Sequence, residues 1–94
     1  MIKTFKCKYT QALFDGKKQK CFSEAVNHIG KRKLDMLEAS CSYEDLRVPP
    51  SNHLEHLKGD LEGYCSIRIN AQYRVIFRFE NSNVYDVYID DYHR

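Results

Sequence analysis

No two of the four cysteines, Cys7, Cys21, Cys41 and Cys65, stand close enough to make a CxxC pair, and none joins a histidine at zinc-finger spacing. That spacing excludes the common metal motifs and argues against a disulfide framework, so free thiols in a reducing, cytoplasmic setting are expected. Also missing is any apolar run long enough for a signal segment or a membrane span. There is no Gly-rich phosphate loop, no GxSxG elbow and no HExxH, and the carboxylates do not recur at metal-ligand spacing. Neither a metal nor another cofactor is therefore expected. No repeat, low-complexity tract or linker divides the 94 residues, which suit one domain, 1–94, with a single core.

Net charge is low at +2, but its distribution is uneven. Residues 1–34 hold nine Lys or Arg against Asp15 and Glu24, a balance of +7. Residues 35–62 hold Arg47 and Lys58 against seven acids, a balance of −5. A basic half of this kind, with Lys17, Lys18 and Lys20 in one cluster and Lys31, Arg32 and Lys33 in another, suits a polyanion such as RNA. A solvated basic surface balanced by its acidic neighbour fits the charge equally well.

Residues 2–6 alternate apolar and polar, which predicts a short first strand, and residues 10–14 offer a turn or two of helix before Asp15-Gly16. Ser23 is a fitting N-cap for a helix reaching about Ser40, with Glu24 in the first turn. Its apolar face takes Phe22, Val26, Ile29, Met36 and Leu37, with Lys33 packed by its stem; Asn27 falls on the polar face. Gly30 weakens the middle by about 1 kcal/mol and marks a place for a kink. Ser42-x-x-Asp45 reads as a capping signal for one more turn, which Pro49-Pro50 ends, and residues 53–57 read as a strand.

The clearest patterns follow. Residues 64–70 alternate around Cys65, Ile67 and Ile69, and residues 73–80 around Tyr73, Val75, Phe77 and Phe79. A loop of Asn70-Ala71-Gln72 sets Ile67 opposite Val75 and Cys65 opposite Phe77. The same register sets Arg68 directly opposite Arg74 on the other face, an unfavourable pair unless an anion or carboxylate intervenes. Residues 84–90 form a last strand with Tyr85, Val87 and Ile89 inward, whose return brings Asp90 and Asp91 level with Tyr73 and Arg74. Lys58, Arg68, Arg74, Asp91, Tyr92 and His93 are types that bind and cleave a phosphodiester. Arg74 and Arg78 salt-bridged to Asp86 or Asp90 is the plain structural alternative.

Several ordered motifs match a known family. They are Ile2-Lys3-x-Phe5; Arg32-Lys33-Leu34-Asp35-Met36-Leu37; Pro49-Pro50-x-Asn52-x-Leu54-Glu55-x-Leu57-Lys58-Gly59-Asp60; Ser66-Ile67-Arg68-Ile69-Asn70-x-Gln72-x-Arg74; and Asp91-Tyr92-His93. In these the chain resembles the HigB toxins of the RelE superfamily, the plasmid-maintenance killer proteins, above all their GraT-like branch. Relatives often carry Trp where Tyr73 stands, and one subgroup has His-Pro where Glu55-His56 stands. His56 is thereby shifted by one position, toward the opposite face of a strand.

The resemblance implies an α+β, RelE-like compact domain: a twisted antiparallel sheet with N-terminal helices packed on one face. It implies a type II toxin that cleaves mRNA in the A site of the 70S ribosome by metal-free 2′-hydroxyl attack. A helix-turn-helix, HigA-like antitoxin would suppress it, with operator DNA reached only through that antitoxin and no membrane involved. Carried over, the catalytic positions are Lys58, Arg74, Asp91, Tyr92 and His93. Arg68, Gln72, Tyr73, Lys17, Lys18, Lys20, Lys31 and Arg32 would contact RNA. The rival is a RelE-fold module without cleavage activity that serves as antitoxin partner and co-repressor, or binds ribosomal RNA.

Overall fold

A computed structural model of the chain describes residues 1–91; Tyr92, His93 and Arg94, on which two of the catalytic expectations fall, lie outside the described residues. The longest helix, α2 (Glu24–Ala39), follows a short α1 (Lys8–Phe14). Ser23 caps α2 as its sequence suggests, its Oγ accepting from the Val26 amide at 3.2 Å. The helix passes through Gly30 unbroken, burying Val26, Gly30, Leu34 and Leu37 along one stripe. A Cβ on Gly30 would stand 3.3 Å from Leu13 Cδ2 and 3.4 Å from Ile89 Cδ1. The glycine therefore lets α2 lie close over α1 and the sheet, and it does not mark a kink.

Asn27 corrects the polar-face assignment. It is buried; its Oδ1 accepts from the Gln19 amide at 2.8 Å, and its Nδ2 donates to the carbonyls of Gln19, Phe22 and Ser23. One amide side chain meets the Gln19 amide and three loop carbonyls, and so pins the lysine-rich connection to the helix.

Four antiparallel strands, β1 (Glu55–His56), β2 (Cys65–Arg68), β3 (Tyr73–Glu80) and β4 (Asn83–Asp91), pair in chain order. The β2–β3 register is the one the alternation predicts, Cys65 facing Phe77, Ile67 facing Val75 and Arg68 facing Arg74. β4 returns with Tyr73 opposite Asp91 and Arg74 opposite Asp90. The inner face, Cys65, Ile67, Val75, Phe77, Val87 and Ile89, packs on Leu13, Val26, Leu34 and Leu37 in one core. Each such large side chain stabilises the fold by about 1.5–3 kcal/mol.

Tyr85 does not point inward. Asp86 adopts a left-handed φ of 57°, and the register slips between Ile76 and Arg78, so β4 carries one extra residue there. This bulge puts Val84 and Val87 in the core and pairs Tyr85 with Arg78 on the outer face. The bulge also shapes the N-terminal segment. In place of a continuous strand there are two parallel bridges to β4, Ile2 to Val84 and Phe5 to Val87, and between them the Asp86 amide donates to Thr4 Oγ1 at 2.8 Å.

The strand expected over 53–57 shrinks to two residues. A 3₁₀ turn at Pro50–Asn52 precedes it, His53 sits at a left-handed φ of 45°, and another turn, Gly59–Leu61, follows. The Ser42 capping signal is half used: Asp45 Oδ2 accepts from the Cys41 amide at 2.8 Å, while the Ser42 side chain caps nothing. All four cysteines are free. No described helix is long and apolar enough to cross a membrane.

Candidate active site

Opposite the helices, the outer sheet face gathers charge at its β1–β2–β3 corner. Glu55 stands opposite Ser66, and Arg68 opposite Arg74, so alternation along β2 puts all four side chains on one side. With His53 they line a cleft of about 50 Å³, which has room for a small anionic group. Two guanidiniums on neighbouring strands repel unless negative charge lies near; Glu55 in this cleft supplies part of it, and a bound phosphate would supply more.

The β2–β3 turn holds this corner in place. Asn70 Oδ1 accepts from the amides of Gln72 and Tyr73, each at 2.8 Å, and Arg68 Nε donates to the Asn70 carbonyl at 3.1 Å. Gln72 then donates through Nε2 to Asp91 Oδ2 at 2.9 Å, tying the turn to the end of β4. Arg68, Gln72, Tyr73, Arg74 and Asp91 are thus brought together at one end of the sheet.

The remaining positions lie elsewhere. Lys58 is exposed at the start of the Gly59–Leu61 turn and does not line the cleft. Lys17, Lys18 and Lys20 sit in the exposed loop between the helices, with Lys18 3.3 Å from Glu24. Lys31 bridges Asp35 at 2.6 Å and lies over the Phe14 ring at 5.1 Å. Lys18, Lys31 and Arg32 edge a second cleft of about 640 Å³ floored by Leu13 and Ala25 on the helical layer.

Arg78 and Asp86 form the pair that the plain structural alternative foresaw. Arg78 Nε donates to Asp86 at 2.8 Å and Nη1 to Glu80 at 2.9 Å. These bonds raise the Arg78 pKa, and the Arg78 bond holds the Asp86 carboxyl below its ordinary value. Nearby, Lys6 lies over the rings of Tyr64 and Tyr88, at 5.2 and 5.5 Å. Burial first, and then the charge of Asp90, pushes the Tyr88 hydroxyl up, while Lys6 and Arg74 oppose that shift.

Glu55, His53 and Ser66 were missed by the residue-level reading. Alternation along β2 points Ser66 the same way as Arg68, but pairing β1 to that edge needed a register that a two-residue strand does not announce. His56, as its one-position shift implies, is on the side of Cys65, 3.2 Å from Nδ1 to Sγ, with the Tyr43 ring edge-on at 4.9 Å. Among the described residues, no three His, Cys, Asp or Glu side chains gather as a metal site requires.

The family described as RelE-like toxin of type II toxin–antitoxin system HigB matches residues 3–93. Toxin HigB-1 of Vibrio cholerae is 38% identical over 91 residues, covering 96% of both chains. Endoribonuclease HigB of Proteus vulgaris is 35% identical over 94 residues, covering 99% of this chain and 100% of the relative. Among solved structures, a chain of the heterotetrameric YoeB–YefM toxin–antitoxin complex from Staphylococcus aureus shares the fold, with a TM-score of 0.61 at 18% identity over 100% of this chain and 99% of that one.

Proposed function

The chain belongs to the HigB family of RelE-like toxins of type II toxin–antitoxin systems, and from that premise we propose that it is an endoribonuclease cutting mRNA in the ribosomal A site. The cut proceeds by attack of the ribose 2′-hydroxyl on the adjacent phosphorus, with side chains moving the protons. The observation that carries this reading is the cross-strand pair Arg68–Arg74 sharing a cleft with Glu55 on the sheet face away from the helices.

Such a reaction needs a group to take the 2′-hydroxyl proton, charge to stabilise the phosphorane, and an acid for the leaving 5′-oxygen. Arg74 and Arg68 serve the phosphorane oxygens, bidentate geometry suiting guanidinium to phosphate. Glu55, beside both arginines, accepts the 2′-hydroxyl proton. His93 protonates the leaving oxygen, the acid role to which an imidazole side chain is suited. Asp91, steadied by Gln72, orients that imidazole; Tyr92 stacks on a base or holds the phosphate, and Lys58 adds positive charge as RNA closes over the site. Tyr73 and Gln72 meet the neighbouring bases, and the lysine clusters grip ribosomal RNA through its phosphates. A helix-turn-helix antitoxin encoded beside the toxin suppresses it and carries it to operator DNA.

The test uses purified ribosomes programmed with a defined mRNA. His93→Ala should abolish cleavage and growth inhibition while antitoxin binding stays intact. Cleavage by the His93→Ala, Arg74→Ala double variant would refute the site, and equally rapid cutting of naked mRNA would refute ribosome dependence.

A further inference from the structure

Beside the arginine cleft lies another, of about 340 Å³, in the size range of ligand sites. Arg32, Lys33, His53 and Arg68 line it together with Pro49 and Ser51, and among the described residues no carboxylate does. Lys33 is 6% exposed, and its ammonium donates to Asn52 Oδ1. Asn52 is itself fully buried, and its Nδ2 is committed to the Leu46 carbonyl at 3.0 Å and to Met36 Sδ at 3.1 Å. The amide is thus fixed with its oxygen toward Lys33. That neutral oxygen is the one acceptor the described residues offer to three N–H bonds.

Taking an ammonium partly out of water is costly, and burial, then the neighbouring Arg32 charge, lowers its pKa. A hydrophobic residue would fill the position at less cost, so the arrangement needs a reason beyond packing. An anion in the cleft would accept from that ammonium and offset the Arg32–Lys33 repulsion at once. The cleft also shares His53 and Arg68 with the arginine cleft, so the two adjoin.

We propose that this cleft is a second phosphate subsite, holding the phosphodiester next to the scissile one on the same RNA strand through Arg32, Lys33 and His53. The subsite rests on the endoribonuclease reading for its choice of RNA over another anion, and it assigns to Lys33 a binding role rather than packing. Its place beside the arginine cleft favours a strand with phosphates at regular intervals over an isolated carboxylate from a protein partner.

The experiment uses short oligoribonucleotides with 2′-O-methyl riboses, which the enzyme cannot cut, with and without a terminal phosphate at either end. For the unmodified protein the phosphate-bearing form at one end should bind several-fold tighter, with a salt slope steeper by about 0.7, the value for one more phosphate neutralised on a single strand. Arg32→Gln, an exposed change, should remove that advantage, and Lys33→Met should do the same if it folds. Lys3→Gln, which deletes equal charge elsewhere, should keep it. Equal affinity of the oligonucleotides for the unmodified protein, or an advantage that survives Arg32→Gln, overturns the subsite. Loss of antitoxin binding in Arg32→Gln with the phosphate advantage intact assigns the cleft to a protein carboxylate and also overturns it. Absent mRNA cleavage on ribosomes with a phosphate advantage present would instead defeat the endoribonuclease reading and leave the subsite standing.

Discussion

Arg74 and Arg78 sit on the same strand, β3, and face the same side of the sheet, yet their cross-strand neighbours differ. Arg78 lies against Asp86 and Glu80, and the Tyr85 ring is 4.9 Å from its guanidinium carbon. Arg74 stands between another arginine, Arg68 on β2, and Asp90 on β4, and shares an open cleft with Glu55 and His53. At one end two of the protein's own carboxylates meet a single guanidinium in bonds of 2.8 and 2.9 Å; at the other, two guanidiniums from neighbouring strands share one cleft. The difference separates an arginine held by two carboxylates from a pair of arginines placed to share a ligand: a phosphate bridging Arg68 and Arg74 relieves their mutual repulsion.

The largest expected effect that sharpens this contrast belongs to Glu55. Glu55→Gln should slow single-turnover cleavage on ribosomes by about 10³-fold, the scale of lost general-base catalysis. A rate within a few-fold of normal would reduce Glu55 to a counter-charge. Next comes Asn52→Ala, which strips the acceptor from buried Lys33 and should destabilise by about 3 kcal/mol in urea unfolding. A loss of a few tenths would mean that Lys33 reaches water.

Smaller effects test the inner face and the ion-paired end. Gly30→Ala should cost about 1–2 kcal/mol despite the better helix propensity of alanine, because its methyl meets Leu13 and Ile89 at 3.3 and 3.4 Å. A gain in stability would show that the helix can lift away. Asp86→Asn keeps a residue type that tolerates the left-handed bulge and removes the charge. The Asp86 pKa is depressed in the folded state, so its contribution is present above about pH 4 and lost as pH falls through the folded-state value. Asp86→Asn should therefore flatten the acid limb of the stability profile and leave cleavage nearly unchanged.

The core of the sheet was legible because Cys65, Ile67, Val75 and Phe77 alternate cleanly and the loop between them admits one register. That register carried Arg68 opposite Arg74 with it. Tyr85 misled because a period of two has no place for the extra residue at Asp86, whose left-handed backbone shifts Val84 inward. Asn27 read as polar surface and Asn52 as part of a loop, and each is a buried clamp whose partners only the fold supplies. Glu55 was hidden for the related reason that β1 is two residues long and too short to display a pattern. The two asparagines escaped as polar groups used inside the structure, where hydrophobic alternation is silent.

The most direct test of the account compares Arg74→Ala with Arg78→Ala, both confirmed as folded by antitoxin binding, in single-turnover mRNA cleavage on purified ribosomes. The account predicts a loss of about 10²–10³-fold for Arg74→Ala and a rate within a few-fold of normal for Arg78→Ala. Equal losses in the two variants, or persistent cleavage by Arg74→Ala, would contradict it.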